Sequence, residues 1–131
     1  MPDTEKISFN MSVVDLGQVD LLVDQGFYSS RTDFLIAAVR RQIEGHALNV
    51  RHAVEQKVMT VGMTILNRKE LEKRVETSRP LDIRVVGILK IEDDVTPELI
   101  RSGIKSVSVF GKIRAKPEVL GALLFKQKKN D

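Results

Sequence analysis

Along residues 6–12, KISFNMS, the apolar side chains Ile7, Phe9 and Met11 alternate with Lys6, Ser8 and Asn10. A period of two predicts a strand that buries the first set and exposes the second. The period then lengthens. Ser12 and Asp15 form a capping-box-like pair that opens a helix, and Leu16, Val19, Leu22 and Val23 follow at helical spacing until Gly26 stops it. A second helix is announced by Ser30-Arg31-Thr32-Asp33, where the Ser30 hydroxyl can accept from the Asp33 amide while the Asp33 carboxylate reaches back toward Ser30. Leu35, Ala38, Val39, Gln42 and Ile43 share one face of it, and Gly45 marks its end. The stretch ALNVRHAVEQK, residues 47–57, is expected to be a linker or an extension of that helix beyond a kink.

One strand and two short helices cannot bury enough apolar surface to fold alone, and a lone strand leaves unpaired backbone groups on both edges. A second copy meets both needs. Two strands paired antiparallel close their apolar face over four helices and turn Lys6, Ser8 and Asn10 of each chain outward. Residues 1–46 are therefore expected to form an obligate homodimer, with a two-stranded ribbon of a shape that a DNA major groove admits.

Beyond residue 57 the pattern repeats. The stretches VMTVGMTILNRKELEKRV, IRVVGILKIEDDVTPELI and VSVFGKIRAKPEVL each pass a β-rich run through a glycine, Gly62, Gly87 or Gly111, and end on an acidic residue before an aliphatic one: Glu70-Leu71, Glu98-Leu99 and Glu118-Val119. Spacings of this size suggest strand-turn-helix units with parallel strands, stacked as in a solenoid; a small α/β sheet without true repetition is the alternative. Pro97 and Pro117 suit the first turns of short helices. The expected fold class is thus α+β: a dimeric unit of one strand and two helices, then a repeated α/β domain over residues 58–125 and a basic tail over residues 126–131.

The segment KISFNMSVVDLGQVDLLVDQGFYSSRTDFLIAAVRRQIEG, about a third of the chain, resembles the ribbon-helix-helix family of MetJ/Arc-type repressors. GFYSSRTDFLIAAVRRQI is similar to that family's turn and second helix. The resemblance implies a dimeric transcriptional regulator whose outward strand residues read bases and whose second helix holds a phosphate at its N-terminus. Carried over by position, the base-contacting residues are Lys6, Ser8 and Asn10, and the phosphate-contacting ones are Ser29, Ser30 and Arg31. The chemistry of these groups agrees: Asn10 can pair with adenine N6 and N7, Lys6 can donate to guanine O6 and N7, and free amides at a helix start attract an anion.

Charge divides unevenly. The first 50 residues carry four basic and seven acidic side chains, the remainder seventeen and eleven, within a net charge of +3. The basic half is expected to oligomerise, bind an effector or add phosphate contacts. No cysteine is present, which excludes thiolate nucleophiles, thiolate metal sites and disulfides. His46 and His52, six apart, share no helix face, so no metal is expected and no cofactor is implied. Glu92, Asp93 and Asp94 read as a solvated acidic turn. No catalytic constellation can be assembled, and no apolar run reaches the roughly 20 residues of a membrane span. A non-enzymatic cytoplasmic DNA-binding regulator is the expected function, with no membrane partner. A ribbon-helix-helix antitoxin and a scaffold that dimerises without binding DNA are the alternatives.

Overall fold

The computed structural model describes residues 3–127. Helix α1 (Val13–Asp24) begins at Ser12, whose hydroxyl accepts from the Asp15 amide at 3.5 Å. It ends at Gly26, in the left-handed region at φ +84°, where the Gly26 N–H donates to the Val23 carbonyl and the Phe27 N–H to that of Leu22. This pair of bonds satisfies carbonyls that the last turn would otherwise leave open. Helix α2 (Arg31–Gly45) is capped by the Ser30 hydroxyl, 3.0 Å from the Asp33 amide. After His46 the chain resumes as α3 (Ala47–Lys57), so the stretch read as linker or extension is helical.

The chain divides into two compact units between Leu48 and Asn49. In the first, Val19 is buried and Leu16, Leu22, Val23 and Leu35 are partly buried, whereas Ile36, Val39 and Ile43 of α2 stay exposed. Val39 and Ile43 were expected on the covered face; one chain does not cover them. The expected strand over residues 6–12 is likewise not formed. Residues 3–12 have no regular secondary structure, and Ile7 and Phe9 are 80% and 64% exposed. The physical reason is that a strand exists only with a ladder partner, and within the described residues of one chain this segment has none.

The second unit continues with β1 (Thr60–Leu66), α4 (Arg68–Glu76), β2 (Leu81–Ile91), α5 (Pro97–Gly103), β3 (Ile104–Arg114) and α6 (Pro117–Lys126). The three strands are parallel and stand in sequence order, β1-β2-β3. Leu71 from α4, Ile100 from α5, and Val119 and Leu123 from α6 pack on Ile83, Val85, Leu89 and Val107 of the sheet in one buried cluster. The helices thus cover one sheet face. Asn67 and Thr96 cap α4 and α5 by accepting from the Glu70 and Leu99 amides, and Pro97 and Pro117 stand in the first turns as expected.

Gly62, Gly87 and Gly111 lie side by side across the sheet, all at positive φ. A Cβ at Gly87 would meet the Gly62 carbonyl oxygen, and one at Gly111 that of Gly87. The acidic turn, exposed at Asp93 and Asp94, is also tied to its neighbours. Asp94 accepts from the Arg68 amide at 3.1 Å, and Lys116 donates to the Asp93 carbonyl at 2.6 Å. The starts of α4 and α6 are thereby both linked to the turn after β2. Helix α6 runs one residue past the expected boundary at 125, and of the expected basic tail residues 128–131 lie outside the described residues.

Candidate nucleic-acid interface

The residues expected to touch DNA all belong to the first unit. Lys6, Ser8 and Asn10 are exposed, as are Ser29, Ser30 and Arg31. Ser8 and Asn10 line an open groove with Arg31, closed on its inner side by Met11, Leu16 and Leu35. The extended segment therefore runs against the starts of both helices, and its exposed residues share a groove with the head of α2. Lys6, Ser29 and Ser30 do not line that groove.

The head of α2 is built by its turn. Tyr28 stacks edge-on against Phe34, ring centroids 5.0 Å apart at 85°, which fixes the chain on either side of Ser29 and Ser30. Asp33 departs from the expected reach toward Ser30. Its Oδ2 instead accepts from both the amide and the hydroxyl of Ser29, at 3.0 and 3.2 Å. The extended backbone of Ser30, φ −162° and ψ 168°, accompanies this arrangement, and a capping box normally closes with the longer Glu or Gln side chain. Of the three amides expected to hold phosphate, that of Ser29 is already engaged. Those of Ser30 and Arg31 precede the first intrahelical bond, which runs from the Phe34 N–H to the Ser30 carbonyl at 3.1 Å.

Arg31 also differs from expectation. Its guanidinium is locked on Asp20 of α1 by two parallel bonds, Nε to Oδ1 at 2.7 Å and Nη2 to Oδ2 at 2.9 Å. The hydrogen bond from Arg31 holds the Asp20 carboxyl below its ordinary range, desolvation opposes the shift and the Arg31 charge adds to it; the same pairing raises Arg31. The sequence pattern gave no sign of this clamp, because a pair eleven residues apart requires knowing how α1 and α2 cross. As it stands, the guanidinium is a tie between helices whose charge is offset by the Asp20 carboxylate.

The profile of the Ribbon-Helix-Helix transcriptional regulator family matches residues 2–120. The chain belongs to that family. Comparison with curated proteins and with solved structures finds no match. The resemblance read from the N-terminal third was too narrow, since the family profile runs through the parallel sheet and into α6. Family membership suggests a DNA-binding regulator, typically dimeric, in a family that is usually non-enzymatic. No helix among the described residues is long and apolar enough to cross a membrane.

Proposed function

We propose that this regulator binds DNA as a dimer or higher oligomer, pairing residues 6–11 of two chains into an antiparallel ribbon that enters the major groove. The observation that carries the reading is the exposure of Ile7 and Phe9 on an alternating segment without a ladder partner, in a chain of a ribbon-helix-helix family. A second copy buries those side chains together with the uncovered Ile36, Val39 and Ile43. Lys6, Ser8 and Asn10 then read base edges. The Ser30 and Arg31 amides take a phosphate at the positive end of α2. Beyond it, the sequence-ordered strands and the tied turn after β2 act as a short solenoid-like stack.

Fluorescence anisotropy on DNA from the protein's own upstream region tests this. Wild type binds, and Asn10→Ala loses sequence preference. Two Lys6 side chains per dimer give a slope of log K against log salt of about −2 if they are the only cationic contacts, at roughly −0.9 per neutralised phosphate. A slope steeper than about −4 brings further basic groups into contact with phosphate. Equal binding of wild type and Asn10→Ala across unrelated sequences would remove base reading from the ribbon.

A further inference from the structure

The apolar alternation of β1 runs opposite to what its helix layer needs. Thr60, Gly62, Thr64 and Leu66 align with Val85, Gly87, Leu89 and Ile91 on the helix-covered side. Val61, Met63 and Ile65 face the other way and are 63, 49 and 52% exposed. They continue into Val86 and Ile88 of β2 and Phe110 of β3 through the rows Val61–Val86–Phe110 and Met63–Ile88. A parallel sheet is ordinarily covered on both faces, and an edge strand that spends its threonines on the core side and its Val, Met and Ile on the open side has a pattern written for a second layer.

We propose that the outer faces of two C-terminal sheets pack on each other within one dimer of this chain, with β1 and the adjacent rows of β2 at the centre. The proposal rests on the ribbon dimer above, which supplies the second copy. Charge placement favours that occupant. Lys90 and Arg114 stand in one row and Lys112 beside Ile88, toward the far end of β2 and β3, while Lys57 lies over the Phe110 ring at 5.7 Å, at the rim away from β1. A two-fold axis near Met63 brings the apolar rows together and leaves the two cationic corners at opposite ends, where like charges do not meet. Area explains why the dimer is needed. Half-exposed side chains of this size leave on the order of 450 Å² per copy, about 900 Å² for the pair, below the roughly 1,200 Å² at which free-standing interfaces begin. Tethering through a common N-terminal dimer supplies an effective concentration in the millimolar range, at which so small a face can still pair.

The absence of cysteine makes the test direct, because any introduced thiol can pair only with its own counterpart. Val61→Cys, Met63→Cys and Ile65→Cys are made singly in the full chain, with Lys69→Cys, exposed on α4 on the helix side, as control. The oligomer mass of each is measured, and disulfide formation under a mild oxidant is followed on non-reducing gels. A dimer mass with at least one β1 variant cross-linking tenfold faster than the control, at a rate independent of protein concentration, supports the proposal. A dimer mass with all four cross-linking at the control rate overturns it and leaves the ribbon dimer standing. Cross-linking that rises with concentration and yields tetramers places the contact between dimers and also overturns it. A monomer mass overturns the ribbon dimer, and the paired sheets with it.

Discussion

Replacing Gly87 by alanine probes the stacking of the strands at its tightest point. Two costs combine there. The backbone sits at φ +135°, where an L side chain is strained by about 1–3 kcal/mol. The new Cβ also meets the Gly62 carbonyl oxygen, with the Gly62 carbonyl carbon at 3.0 Å and nitrogen at 3.3 Å. Because these are backbone atoms in the adjacent strand, no side-chain rotation relieves the contact, and β1 must move off β2. Weakening two ladder bonds at about 1 kcal/mol each brings the total to about 3–5 kcal/mol. Gly62 is the internal comparison. It shares the positive φ, +121°, but a Cβ there meets nothing within 4 Å, so Gly62→Ala costs only the backbone strain of about 1–3 kcal/mol. Urea unfolding followed by far-ultraviolet circular dichroism, at one fixed protein concentration, reads the difference directly. Gly87→Ala exceeds Gly62→Ala by about 2 kcal/mol, and Gly111→Ala, whose Cβ meets the Gly87 carbonyl, behaves like Gly87→Ala. Equal effects at Gly62 and Gly87, or a larger one at Gly62, would refute the close-approach argument.

Further outcomes follow from other sites. Leu89, fully buried between β1, β3 and the helices, loses about 2–5 kcal/mol as Leu89→Ala, measured by the same unfolding curves. Val58, a β-branched residue held at φ 51° and well exposed, gains about 1 kcal/mol as Val58→Gly because the left-handed strain is removed; a fall in the urea midpoint would contradict this. Ser30→Ala removes the cap on the Asp33 amide and costs about 1 kcal/mol of helix stability, read as lower helical signal and a lower unfolding midpoint. Asp20 has its carboxyl lowered by Arg31, so this pair's contribution is present above the unfolded carboxyl value near 3.9 and is lost as pH falls through the depressed folded value. An NMR titration of Asp20 shifts upward in Arg31→Gln, and an unchanged midpoint would dismiss the clamp.

How much could be read in the sequence depended on the range of the interaction that decides each feature. Ser12, Gly26 and Ser30 act within a few residues, and α1 begins and ends, and α2 begins, where those residues direct. Asp33 shows the limit even there, since whether its carboxylate closes on Ser30 or Ser29 depends on the Ser30 backbone. The Arg31–Asp20 clamp was hidden for a larger reason: both residues belong to helices whose faces were correctly periodic, but the crossing that brings them to 2.7 Å is a tertiary property. At the candidate site the chain displays Lys6, Ser8 and Asn10 on an extended segment and two amides at the head of α2. Among the described residues of one chain they have no ladder partner.

In the second unit the repeated glycines were visible, yet their purpose was not. Only the register places Gly62, Gly87 and Gly111 in one row, where each carbonyl occupies the space a neighbour's Cβ would need. The same register changes the meaning of TVGMTIL. Read alone, its apolar positions Val61, Met63 and Ile65 would be assigned to the core. Leu89 and Ile91, both buried, instead pair with Thr64 and Leu66 and fix the opposite face as the covered one. The strand can satisfy both its helix layer and its own alternation only if two surfaces are buried, and a chain that folds as a single copy supplies one. The N-terminal unit shows the same deficit in Ile7, Phe9, Val39 and Ile43. Two independent regions of one chain, differing in fold and in net charge, thus leave apolar patterns incomplete in the same sense, and the proposed pairing with an identical chain would complete both.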